Sequence, residues 1–340
     1  MTAIRIGLPG ALLVLLLVFA SLVQASIKPA VAYTDGKKFD SSFNEAVFRE
    51  GVSKFEGKYG IEVTEVNPSA VAEFEQSLRN LAEQGHSPIV AVGFSYADAV
   101  ATVAAEYPAL QFTIIDAVVN APNVQSLTFK EHEGSFLVGA LAAMKAERPV
   151  LGFIGGMDLP FIRGFACGYA QGAHHVDDDS QVLVRMMGDT PDVWSNPAMG
   201  AQYANALFTD GAEIVYAAVG GSGVGVYRAA KNAGKLAIAV DSSQNYLHLN
   251  TMLTSMVKRV GLAAFKSWEQ AAHDRWRPGV HRLGLAEGGV DWALDIFNRQ
   301  LVSLEMEARV NELREAVIEG DIEVVDYTVA DHCPVPLVGL

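Results

Sequence analysis

Cysteine is almost missing from this chain, with Cys167 and Cys333 the two among 340 residues. Their separation and unlike contexts give no disulfide framework, and there is no Cys-x-x-Cys pair to hold zinc. Cys167 falls on the apolar side of an expected helix and reads as a small buried hydrophobe; a disulfide stays open as the alternative in an oxidising compartment. Clustered positive charge is missing too. Against 25 Lys and Arg stand 39 Asp and Glu, a net charge of −14, whereas phosphate backbones and anionic lipid surfaces are recognised by grouped cations. Nucleic acid and membrane surfaces are therefore excluded as partners. His174 and His175 are adjacent and diverge on a helix. The acidic run 177–179 lacks the Gly and Glu of a calcium loop and reads as a solvated connection. No metal or cofactor is expected.

Half of the residues are hydrophobic and 19% are charged, the composition of a well-cored globular protein. A chain of this length exceeds what one core usually supports, so two lobes are expected. At the start, Arg5 precedes an uncharged apolar stretch over 6–23, then Gln24, Ala25 and Ser26. That order describes a secretory signal peptide over 1–25 with cleavage after Ala25. The alternative is an uncleaved anchor, because the run is nearly long enough to span a bilayer.

Short apolar runs alternate with amphipathic stretches along the rest of the chain. Strands are expected at 28–34, 61–66, 88–93 and 112–117, with helices at 43–60, 71–84 and 96–106 between them. The rhythm restarts with strands at 150–156, 181–187, 213–219 and 236–242 and helices ending near 175, over 197–210 and over 223–233. Val, Ile and Ala runs that alternate with helices mean parallel sheets covered on both faces. A helical bridge over 132–148, a further strand-like run at 251–257 followed by a helix at 261–273, and a last helix near 304–319 require the chain to cross between the lobes repeatedly. The fold class is thus α/β, with two doubly wound parallel-sheet lobes joined by a multi-strand hinge, the architecture of type I periplasmic binding proteins. Lobe 1 takes 27–130 plus about 250–280, lobe 2 takes 131–249 plus about 281–325, and 326–340 is a C-terminal tail. Ligands in such folds bind at the carboxyl ends of the strands.

Those strand ends hold the candidate residues. The stretch GFIGGMDLPFIRGFACGYAQGA (152–173) reads as a strand, a glycine-rich turn and a helix start, which aims free backbone N–H groups at a small molecule. The loop after the first strand, TDGKKFDSSFN, offers Asp35, Phe39, Asp40, Ser42, Phe43 and Asn44. Asp40 or Ser41 suits the N-cap of the helix that follows, and Phe39 is either core or a stacking surface. Asp116 ends the fourth strand as a turn former or as a ligand acceptor. Trp194 stands in the polar loop GDTPDVWSNP, where its indole either packs between lobes or stacks on a ligand. In AAVGGSGVGVY the spacing is wrong for a dinucleotide fingerprint, and the N–H groups of Gly220 and Gly221 suit a ligand hydroxyl instead. Asp241, at the tip of the corresponding strand in the second lobe, is a good acceptor for paired hydroxyls. Lys258, after an apolar run, reads on its own as a solvated flank.

With EHEGSFLVGALAA (131–143), SSFNEAVFREG (41–51) and LTSMVKRV (253–260), the 152–173 stretch resembles the basic membrane protein family of ABC-transporter substrate-binding proteins, best known as nucleoside binders. The resemblance spans nearly the whole mature chain. It implies a nucleoside ligand and an inner-membrane ABC permease as partners, with a monomer expected. It implies that Phe39 stacks on the nucleobase, that Asn44 lies near the ligand, that Asp116 bonds the base edge, and that Trp194 covers the other face. It also brings Lys258 into the cleft, where pairing with Asp241 is expected. The chain departs from the family's pattern at Ser243, where an aspartate is usual. It departs again in having no cysteine near position 26 for lipid attachment, so a free periplasmic protein is expected. A sugar or free-base binder on the same fold is the alternative, and a nucleoside-cleaving enzyme a more distant one, since no nucleophile elbow, metal cluster or catalytic histidine accompanies the carboxylates.

Overall fold

The computed structural model describes residues 27–34 and 38–340; the expected signal peptide, its cleavage site and Asp35 lie outside them. Among the described residues the strands are, in chain order, β1 (Ala30–Ala32), β2 (Thr64–Val66), β3 (Ile89–Val92), β4 (Phe112–Ile115), β5 (Val124–Phe129), β6 (Val150–Met157), β7 (Gln181–Gly188), β8 (Ile214–Ala218), β9 (Leu236–Asp241), β10 (Met252–Lys258), β11 (Gly279–Leu283) and β12 (Val290–Trp292). They form two six-stranded sheets of matching order, β2-β1-β3-β4-β5-β11 and β7-β6-β8-β9-β10-β12. Every pairing is parallel except β12 against β10. β1, β3 and β4 are buried at every residue, as parallel strands covered by helices on both faces must be.

The chain crosses between the lobes three times. It leaves β5 for the helix Glu131–Lys145, which packs on the second lobe's helix Pro160–Val176. It returns after β10 through the helix Val260–Ala272, which packs on the first lobe's helical run 43–59 and on β4. The last crossing runs from β11 to β12. The segment about 250–280, expected in the first lobe, is therefore split. β10 belongs to the second sheet, where Val257 is in register with Asp241 of β9, and only the helix and β11 after it belong to the first. A buried apolar run suits either sheet, so composition could not assign it.

Close backbone packing holds the second lobe together. A Cβ on Gly139 would stand 2.0 Å from the Tyr169 carbonyl oxygen, and one on Gly172 would stand 1.9 Å from that of Phe136. The helices Glu131–Lys145 and Pro160–Val176 thus meet where side chains are absent. β6 runs through Gly155 and Gly156 to Met157, one residue beyond the strand expected over 150–156, so these two glycines belong to the strand and not to the turn after it.

The two cysteines form a disulfide, Cys167–Cys333, where a free buried thiol was the first expectation. Cys167 is indeed fully buried, but the tail folds back over the second lobe and brings Cys333 to it. Val338 bridges beside β7, with its N–H donating to Val182 at 2.9 Å and its carbonyl accepting from Val184 at 2.8 Å.

Candidate functional site

In each sheet the strand order turns back at the second strand from one edge, β1 or β6. Loops leaving the carboxyl ends on either side of that point diverge and open a crevice. The two crevices face each other around a cavity of about 580 Å³, within the range that small-molecule sites occupy. Its wall carries Phe39, Asp40 and Asn44 after β1, Gly93, Phe94 and Ser95 after β3, and Asp116 after β4. From the second lobe come Met157 at the end of β6 and Phe161 after it, Trp194 after β7, Gly220 and Gly221 after β8, Asp241 on β9 and Lys258 on β10. Phe39, Asp40, Asn44, Asp116, Trp194, Gly220, Gly221, Asp241 and Lys258 therefore lie around one cavity.

Asp116 and Asp241 end corresponding strands of the two lobes, and both adopt the left-handed backbone region, with φ of 68° and 72°. Aspartate tolerates that conformation better than most residues. Asp241 is buried and accepts a hydrogen bond from Ser42 Oγ of the opposite lobe. Burial pushes its carboxyl up to about 7, with Lys258 and the Ser42 bond pulling the other way. Among the described residues no hydrogen bond reaches the buried Asp116 Oδ1, while Oδ2 is 2.7 Å from the Lys258 ammonium.

The Lys258–Asp241 pairing expected from the sequence gives way to a different one. Lys258 lies one residue beyond the position in register with Asp241. Its Nζ reaches across the hinge to Asp116 at 2.7 Å and Glu131 at 3.0 Å. The rings of Phe129 and Phe43 stand 5.0 and 5.5 Å from it. Burial works against the charge of this lysine, but Asp116, Glu131 and Asp241 outweigh it and raise its pKa. Burial likewise raises Glu131, opposed by Lys258. Sequence alone offers no reason to single out Glu131, because an acidic first residue of an apolar helix reads as an ordinary favourable charge at a helix N-terminus.

Phe39 is 58% exposed, which removes the core reading. Its ring meets Phe48 edge-on at 5.3 Å and stands at the cavity mouth. Asp40 lines the cavity, yet its carboxylate accepts from the backbone N–H groups of Ser42, Asn44 and Glu45 at 2.8, 3.0 and 3.1 Å. It thereby anchors the start of the helix in the way a capping residue does. Asn44 is buried in the first turn of that helix. Trp194 sits in the turn Pro191–Ser195 against β6, where a Cβ on Gly156 would come within 2.2 Å of the indole. Gly156 seats the ring rather than cradling a ligand.

The lobes are closed on each other. Besides the Ser42–Asp241 and Lys258–Asp116 contacts, the rings of Phe94 and Phe161 meet across the cleft at 5.5 Å, tilted by 55°. A Cβ on Gly221 would approach the Asp40 carbonyl oxygen to 2.9 Å. Among the described residues no group of His, Cys, Asp and Glu is placed to hold a metal ion.

Known proteins resemble this chain in sequence and in fold. Residues 27–326 match the family described as ABC transporter substrate-binding protein PnrA-like. Basic membrane protein A1 of Borrelia garinii is 28% identical over 313 residues, covering 90% of each chain. The ABC transporter nucleoside-binding protein BmpA of Lactococcus lactis is 29% identical, covering 89% of this chain and 88% of its own. A solute-binding protein of an ABC transporter system from Aeropyrum pernix superposes with a TM-score of 0.80 at 25% identity, over 88% of this chain and 94% of that one. The closed two-lobed cleft and the match over nearly all of the described chain lead to one conclusion: this chain belongs to the PnrA-like, basic membrane protein family of ABC transporter substrate-binding proteins.

Proposed function

We propose that the protein is the extracytoplasmic nucleoside receptor of an ABC importer, with purine nucleosides preferred, and that it binds without cleaving. The observation that carries this reading is the pair of strand-tip aspartates, one in each lobe, facing a cavity that also holds Phe39 and Trp194. A clamped ligand presents a different end to each lobe. Asp116, with a buried acceptor oxygen free of hydrogen bonds, suits the N–H donors of a base edge. Asp241 suits ribose hydroxyls, with Lys258 and the backbone of Gly220 and Gly221 beside it. Phe39 and Trp194 supply aromatic faces for the base, Asn44 adds a polar group, and Asp40 holds the loop in place. Among the described residues lining the cavity, none is arranged as an activated nucleophile, so turnover is not expected. The nucleoside-binding relative from Lactococcus supports the ligand class. The mature protein is proposed to start near Ser26, free of lipid, and to work as a monomer beside its permease.

Native mass spectrometry of protein purified from cells tests this directly. The expected result is a retained mass of a nucleoside, released intact on denaturation. Retention of a hexose, or appearance of free base on incubation with inosine, would overturn the reading.

A further inference from the structure

Lys258 has a second partner that stands outside the cavity wall. Glu131, the first residue of the helix Glu131–Lys145, is 6% exposed, and its Oε1 lies 3.0 Å from Lys258 Nζ. It follows Lys130, where the chain passes from β5 to the second lobe, so the hinge itself fixes its place. A lysine's flexible stem leaves its ammonium poorly defined by the strand that carries it. With Asp116 as sole partner, the ammonium would settle entirely on the carboxylate that the base is proposed to reach. Glu131 supplies the opposing pull. The groups facing Glu131 are Lys258 on β10, Asp116 after β4 and Tyr216 on β8; its neighbours Lys130 and His132 are directed to Glu133 and Asp326 instead. Asp116 and Glu131 thus share one lysine, whose charge Asp241 also feels.

We propose that Glu131, acting as a carboxylate, is a positioning residue that holds the Lys258 ammonium between the hinge and the ligand cleft and so sets the site's affinity. The affinity readout rests on the nucleoside reading above; a second readout does not. Glu131→Gln keeps the size of the side chain and removes its charge. At about pH 8 this variant should bind inosine or adenosine roughly tenfold more weakly than the parent, the scale of coupling between groups in contact. At about pH 5.5 the parent's buried carboxyl is itself largely protonated, because burial raises it to about 7, and the two proteins should bind alike. A packing role alone would leave the same gap at both pH values. Glu131→Asp, which keeps the charge on a shorter arm, should recover part of the affinity at the higher pH and carries the comparison should the glutamine variant not fold.

In ligand-free Asp241→Asn protein, which no longer carries the Asp241 titration near the same pH, the ¹⁵N resonance of Lys258 Nζ, assigned with Lys258→Arg, should move as Glu131 titrates and lose that step when Glu131→Gln is added. An unchanged lysine titration, or a pH-independent affinity gap, overturns the proposal. If the parent binds no nucleoside, the nucleoside reading fails and the lysine resonance alone decides this one.

Discussion

Phe39 and Trp194 ask different things of a mutation. Phe39 is exposed at the cavity mouth, with Phe48 edge-on to its ring and the Lys38 ammonium 5.4 Å from it, so Phe39→Ala should weaken nucleoside binding by about 1–3 kcal/mol, the worth of one base–aromatic stack, with little change in melting temperature. Trp194 also packs against Gly156 and the core of the second lobe, so its truncation should cost stability as well; calorimetry paired with thermal melts separates the two. Asp241 supplies a pH signature. Its folded pKa of about 7 lies above the ordinary aspartate value of 3.8, so between those values the folded protein holds a proton that the unfolded chain releases. The stability contributed by this group is greatest at acid pH and falls as pH rises through about 4 to 7. Asp241→Asn should flatten that slope in ligand-free chemical denaturation. Ligand hydroxyls bond best to the ionised carboxylate, so parent affinity should rise with pH through the same window. An unchanged slope in the variant would remove Asp241 as its source.

At the scale of elements, two features can be tested without any ligand. The helices Glu131–Lys145 and Pro160–Val176 meet backbone to backbone at Gly172, and Gly172→Ala must push them apart. A loss of about 1–3 kcal/mol, or failure to fold, is expected from such overpacking, measured by urea denaturation. The Cys167–Cys333 bridge closes a sequence separation of 166 residues. Long loops lose most unfolded-state entropy when closed, so Cys333→Ser should lower stability by about 2–5 kcal/mol and release the tail to proteolysis. The strand and helix rhythm, and the acidic tips of β4 and β9, could be read from the sequence because a buried parallel strand and a charged residue at its end are local patterns. The sheet that β10 joins, the partner of Lys258 and the bridge to Cys333 could not. Each depends on which distant segment arrives alongside, and a buried Val-Met run or a lone cysteine carries no label for its neighbour. Glu131 escaped notice for the same reason: its burial follows from the hinge crossing and not from its surroundings in sequence.

For the molecule as a whole, the repeated strand order and the three crossings make a clamp whose two jaws each present one carboxylate at the same place. The cross-cleft contacts Ser42–Asp241, Lys258–Asp116 and Phe94–Phe161 join the jaws in the closed form, and hinge motion is the way a ligand enters such a fold. The central claim is that the two jaws read different ends of a nucleoside. Isothermal titration of ligand-stripped parent, Asp116→Asn and Asp241→Asn with inosine, adenosine and the matching free bases tests it most directly. The parent should bind nucleosides; Asp241→Asn should lose nucleoside affinity while leaving any free-base binding nearly intact; Asp116→Asn should lose both and change the preference among bases. Equal losses for sugar-containing and sugar-free ligands in both variants, or stronger binding of a hexose than of any nucleoside by the parent, would contradict the account.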